Sequence, residues 1–124
     1  MAKNLNTAVL DLAINDIKTN VTRMTVCSAQ PTTYTEGNTT FMLANVTVAT
    51  GDFTLAAGDT SGRKVTVGAK TGISISNSGT ATHIAWLDVT NTTLKLCTTC
   101  TSQAINTGGT VDIPAWKWEI NQPT

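Results

Sequence analysis

From Thr22 onward, apolar residues recur at every second position in short runs, and clusters of turn-forming residues end those runs. Met24 and Val26 alternate with Thr25 and Cys27. Phe41 and Leu43, Val46 and Val48, Phe53 and Leu55, Val65 and Val67, and Ile73 and Ile75 follow the same rhythm. A period of two puts alternate side chains on opposite faces of a strand and has no place in a helix. Gln30-Pro31-Thr32-Thr33, Ala57 to Gly62, Asn77-Ser78-Gly79, Thr90-Asn91-Thr92 and Thr107-Gly108-Gly109 supply the turns. About seven or eight short strands at roughly 8–12-residue intervals predict an antiparallel β-sandwich, jelly roll or barrel.

Two runs say more about position. Ala81 to Val89 is apolar on both faces, Ile84 and Trp86 pointing one way and Ala85, Leu87 and Val89 the other, so it reads as a central strand. The last run carries Val111 and Ile113, breaks at Pro114, and resumes with Trp116, Trp118 and Ile120. Proline cannot donate to a ladder, so this run belongs at an edge or a bulge.

Only the first part of the chain keeps a helical period. Leu5, Val9, Leu12, Ala13, Ile17 and Val21 fall at helical spacing, and Leu10 and Ile14 widen the apolar face. Asn4 or Asn6 is placed to cap the start, and the helix is expected to stop near Thr19-Asn20. The expected organisation is one mainly β domain: a helical arm over residues 1–21 on a β-sandwich, jelly-roll-like, over residues 22–124. A helix apolar over so much of its girth is expected to pack into something larger, such as a neighbouring subunit.

Composition narrows the chemistry. Of 124 residues, 13% are charged, and the formal net charge is +0 with histidine neutral. The basic residues are scattered, with Arg63-Lys64 the one adjacent pair. A nucleic-acid groove needs clustered Lys and Arg, so no nucleic-acid partner is expected. No run approaches the roughly 18 apolar residues of a membrane span. Met1-Ala2-Lys3 leads into apolar residues interrupted by Asn4, Asn6, Asp11 and Asn15, so no secretory leader is expected.

No catalytic constellation stands out. Cys97-Thr98-Thr99-Cys100 has the form of half a zinc site or a redox pair, and Cys27 and His83 would have to complete a metal site. The spacing matches no ribbon or finger, and the pair is expected at a strand end with inert thiols. His83 lies in a strand with no nucleophile elbow in the sequence, so it reads as a hydrogen-bonded strand residue. Asp52 and Asp59 flank one strand, as a glycosidase pair would, but each stands beside a turn glycine, which is the simpler role. No glycine-rich loop opens a helix to cradle phosphate. No catalytic residue, cofactor or metal is therefore expected. Trp116 and Trp118 share a strand face, suited to a core or subunit interface, or to a sugar-stacking platform. The interface candidates are Leu5, Val9, Leu12, Trp116 and Trp118.

Five segments carry a resemblance: Cys27 to Tyr34 (CSAQPTTY), Gly51 to Leu55 (GDFTL), Asp59 to Val67 (DTSGRKVTV), Gly79 to Ala85 (GTATHIA) and Thr98 to Gln103 (TTCTSQ). As an ordered set they resemble small proteins encoded in the structural-gene regions of tailed bacteriophages and prophages, over nearly all the chain after the helix. The resemblance implies a virion component, assembled in the host cytoplasm. A capsid decoration or cement protein is one expectation, partnered by copies of itself (a homotrimer or other homo-oligomer) and by the major capsid protein. A tail, baseplate or fibre-associated module that binds a receptor or glycan is the other.

Overall fold

A computed structural model describes residues 3–123. Met1 and Ala2 of the expected arm and Thr124 at the end of the expected sandwich lie outside the described residues. Among the described residues one α-helix, α1 (Thr7–Asn20), precedes nine strands: β1 (Arg23–Cys27), β2 (Met42–Thr47), β3 (Phe53–Ala57), β4 (Arg63–Val67), β5 (Lys70–Ser74), β6 (Gly79–Asp88), β7 (Thr93–Ile105), β8 (Thr110–Ile113) and β9 (Trp116–Ile120). The architecture is mainly β and sandwich-like, with three antiparallel sheets and the N-terminal helix.

The largest sheet has the order β2-β1-β6-β7. β6 is interior, as its two apolar faces require. Ile84 and Trp86 join the main core, while Ala85 and Leu87 join a second cluster on the opposite face. That outer cluster also holds Cys27 and is covered by Tyr34 and Phe41 from the segment between β1 and β2. This segment contains one turn of π-helix over Glu36–Thr40. Gly37 is buried there, and a Cβ on it would come within 3.2 Å of the Leu87 side chain. The smaller sheets are β3-β4-β9 and β5-β8. An isolated bridge between Ala44 and Ile75, with Leu43 O accepting from Ser76 N and Asn77 N, ties the end of β5 to the edge of β2.

Pro114 marks a change of sheet. β8 pairs with β5 and β9 pairs with β4, so the two halves of the run read as a single strand are separate strands. β7 is longer than the alternation predicts. Its 13 residues run through the Cys97–Cys100 motif, which is therefore within a strand rather than at a strand end. Register shifts opposite Ala81/His83 and Trp86/Leu87 absorb the extra residues as bulges.

α1 starts where an asparagine can cap it: Asn6 Oδ1 accepts from Ala8 N at 2.8 Å. Its buried face is Leu10, Ile14 and Ile17. Ile14, Ile17 and Val21 belong to the same core cluster as the strands, so residues 7–20 pack onto the sheets rather than standing off as an arm. Asp11 ties α1 to Arg63 of β4 at 2.8 Å, and Asp16 ties it to Lys95 of β7 at 2.9 Å. The helix thus links strands of two different sheets.

Candidate functional site

The strands leave a substantial opening. A groove of about 760 Å³ runs between the Thr98–Gln103 part of β7 and residues of β4, β8 and β9. This falls in the size range of ligand sites. Its buried lining residues, Val26, Ala81, Ile84 and Ile113, form an apolar floor. Thr99, Thr101, Gln103, Asp112 and Lys117, all exposed, form the rim. Two features hold it open: the bulge in β7 opposite Ala81/His83, and the passage of the chain between sheets at Pro114-Ala115.

Trp116 lines this groove and is half-buried. Its ring stacks on Trp86 with centroids 4.2 Å apart and planes 24° apart, and Trp86 meets Phe53 edge-on at 5.4 Å. Three aromatic rings from three strands thus stand in one row. The Nε1 atoms of Trp86 and Trp116 are buried and lack a hydrogen-bond partner. Trp116 and Trp118 pair with Val67 and Val65, so all four share the core-facing side of their sheet.

The charges of the rim are already engaged. Lys64 Nζ lies 2.6 Å from Asp59 Oδ1, and Lys117 pairs with the other oxygen of the same carboxylate. Asp112 Oδ1 accepts from Gly72 N at 2.8 Å. Glu119 Oε1 accepts from Thr60 N at 2.9 Å and from Ser61 N, which holds its carboxyl below the usual range and fastens the β3–β4 turn to β9.

The other candidate residues are dispersed. Cys97 packs in the outer cluster and Cys100 against the main core, so the two thiols face opposite sides of one strand. Cys27 lies on β1, with β6 between it and β7, a separation of about 10 Å between backbones. That geometry makes neither a disulfide nor a shared metal site. Burial pushes both the Cys27 and Cys100 thiols above their ordinary pKa, the reverse of what a reactive thiolate needs. His83 Nδ1 is 2.9 Å from Thr82 Oγ1. Asp52 is a turn residue: its carboxylate binds Lys70 Nζ at 2.8 Å and accepts from Ala49 N at 2.8 Å, which lowers its pKa. No group of three or more His, Cys, Asp or Glu side chains converges among the described residues.

Of the candidates expected on the helix, Leu5 lies before the Asn6 cap, outside α1, and is half-buried, while Val9 is 48% exposed and Leu12 is 71% exposed. Leu5 is fixed through its backbone, since Gln122 Oε1 accepts from Leu5 N and Gln122 Nε2 donates to Leu5 O, both at 2.8 Å. The groove was not legible in the sequence. Its one local signal was Pro114, which marked the break but not the space beside it.

Comparison of the chain with protein-family models, with curated proteins and with solved structures finds no match.

Proposed function

We propose that this chain is a non-enzymatic structural protein of a tailed-phage virion, a decoration or cement protein that stabilises the head by bridging capsid subunits. The observation that carries this reading is the apolar groove bordered by the edge strands β7, β8 and β9. Open strand edges beside an apolar floor suit the addition of a strand from another polypeptide, which main-chain hydrogen bonds hold and side-chain pockets select. The five segments quoted above support the virion setting. A formal net charge of +0 supports close packing of copies, because no long-range repulsion opposes it. The partners on this reading are copies of the chain and the major capsid protein.

A second reading, a tail, baseplate or fibre module that binds glycan, is favoured by one observation. The indole of Trp116 lines the groove beneath a rim rich in threonine hydroxyls, and Trp86 supports it by stacking. Aromatic faces of this kind take the apolar face of a sugar.

Quantitative mass spectrometry of purified virions tests the choice. A copy number near that of the major capsid protein, or a simple large fraction of it, supports the cement role. A few to a few dozen copies move the protein to the tail, and quenching of tryptophan fluorescence by added oligosaccharide then checks the second reading.

A further inference from the structure

The loop from Ser28 to Phe41 closes on itself. Ser28 N donates to Phe41 O at 2.9 Å, where the chain leaves and rejoins the β1–β2 ladder. The loop's other backbone bonds, from Gly37 N to Thr33 O and from Phe41 N to Glu36 O, are internal. Glu36 Oε1 accepts from Thr32 N at 3.0 Å and from Thr32 Oγ1 at 2.6 Å, which braces the loop from within. A loop with joined ends and its own internal packing is an Ω-loop. It can open as a unit while the sheet beneath it stays paired.

What seats this loop on the sheet is unusual. Among the described residues no backbone bond joins it to β6 or β7, and three side-chain bonds reach it from the sheet. One is Arg23 Nη1 donating to Asn38 Oδ1 at 2.7 Å. The other two come from thiols: Cys27 Sγ donates to Gly37 O and Cys97 Sγ to Pro31 O, each at 3.7 Å. Pro31 and Gly37 are the two buried residues of the loop. Each thiol therefore fastens one of the two points where the loop plugs into the apolar cluster of Cys27, Ala85 and Leu87. Such bonds are individually weak, so the seat depends on close packing around them. Cys27 is sealed below the loop at 0% exposure, whereas Cys97 is half-buried on the outermost strand of the sheet.

We propose that loop 28–41 is a thiol-latched lid, opened when a small disulfide modifies Cys97. This goes beyond the virion reading and stands apart from it. The step is thiol–disulfide exchange. Cys97 gives its thiol proton to solvent, and its sulfur attacks one sulfur of the disulfide. The new S–S bond forms as the old one breaks, and the departing thiolate takes up a proton. The adduct has no S–H to donate to Pro31 O, and it sets a bulky group beside a buried proline where close packing leaves no room. The lid then lifts from Cys27, Ala85 and Leu87, baring an apolar surface that the closed form hides. Excess thiol reverses the exchange and lets the lid close. Cys100 is the built-in control: it is also half-buried on β7, but it packs against the main core on the opposite face.

The test treats the full chain with oxidised glutathione and maps the adducts by peptide mass spectrometry. An adduct at Cys97 is expected to speed deuterium uptake in residues 30–41, and iodoacetamide labelling of Cys27, about tenfold or more. Uptake in β3 and β4 stays unchanged, and dithiothreitol restores the slow rates. In Cys97→Ser, whose hydroxyl still donates to Pro31 O, an adduct at Cys100 leaves both rates as they were. A Cys97 adduct with unchanged rates overturns the latch. So does equal acceleration from the Cys100 adduct, acceleration that spreads to β3 and β4 as general unfolding, or a Cys97 that oxidised glutathione modifies only in urea.

Discussion

Trp86→Phe sets two opposing terms against each other at the centre of the core. Trp86 is 0% exposed and lies between Phe53 and Trp116. Truncation to phenylalanine leaves a void of about 40 Å³, which at roughly 24 cal/mol per Å³ costs about 1 kcal/mol, and the lost transfer free energy adds about 1 kcal/mol more. The same change deletes Nε1, a buried donor with no partner, and an orphaned donor of this kind carries a penalty of about 1–3 kcal/mol. The terms nearly cancel, so the expected net change is within about 1 kcal/mol of zero. Trp86→Ala deletes the donor as well but leaves a far larger void, and is expected to cost about 3–5 kcal/mol. Urea unfolding followed by far-UV circular dichroism measures both without relying on the altered fluorophore. A Trp86→Phe loss above about 3 kcal/mol, with an unchanged m-value, would refute the reasoning, because Nε1 must then have been satisfied in the native protein.

Three further predictions follow from local geometry. Gly62 has φ +70°, and a Cβ there would sit 1.9 Å from Ile120 O, whereas Gly72 has φ +66° with open space around it. Gly62→Ala should cost clearly more than Gly72→Ala, whose left-handed strain alone is about 1 kcal/mol; equal shifts in the urea midpoint would show that the Ile120 contact gives way freely. Asp52 has a lowered folded pKa, owing first to Lys70 and then to Ala49 N, so more protons bind in the unfolded state. Its contribution is present above the unfolded carboxylate range, near pH 4, and is lost as pH falls through the lower folded value. Asp52→Asn should therefore cost about 1 kcal/mol at pH 6 and progressively less toward pH 3, as read from urea midpoints at each pH. Finally, alkylation at pH 8 followed by mass spectrometry should label Cys27 only as fast as the protein opens, since it is 0% exposed, with half-buried Cys97 and Cys100 labelled sooner. Equal rates for all three would mean that the segment between β1 and β2 does not close over Cys27.

The local features that the sequence displayed were the ones with a period or a breaker. Alternation in Ala81 to Val89 required a strand buried on both faces, and β6 is that strand. Asn6 capped the helix and Asn20 ended it. Pro114 broke a run because proline has no ladder donor, and the chain changes sheets there. In the segment from Ser28 to Phe41 the one such signal was the turn at Gln30-Pro31-Thr32-Thr33, which did not announce the helical turn over Glu36–Thr40. The segment's residues are mostly polar, and its role as the cover of the outer cluster depends on where Tyr34 and Phe41 land.

Period and composition alone therefore determined a mainly β chain with one N-terminal helix, a central β6 and a scattered, neutral charge pattern. Tertiary structure decided which of several apolar helix faces would be buried. Leu10, Ile14 and Ile17 met the sheets, and Leu12 was left exposed, because a helix apolar on most sides carries no periodic preference among them. It also sent Cys97 and Cys100 to opposite faces, since a spacing of three that converges on a helix diverges on a strand. The groove beside Trp116 arises only where β7, β8 and β9 meet, from residues up to 91 positions apart in the chain, Val26 to Lys117. No local pattern encodes a space between strands; it exists only once the sheets have closed around the core on every other side.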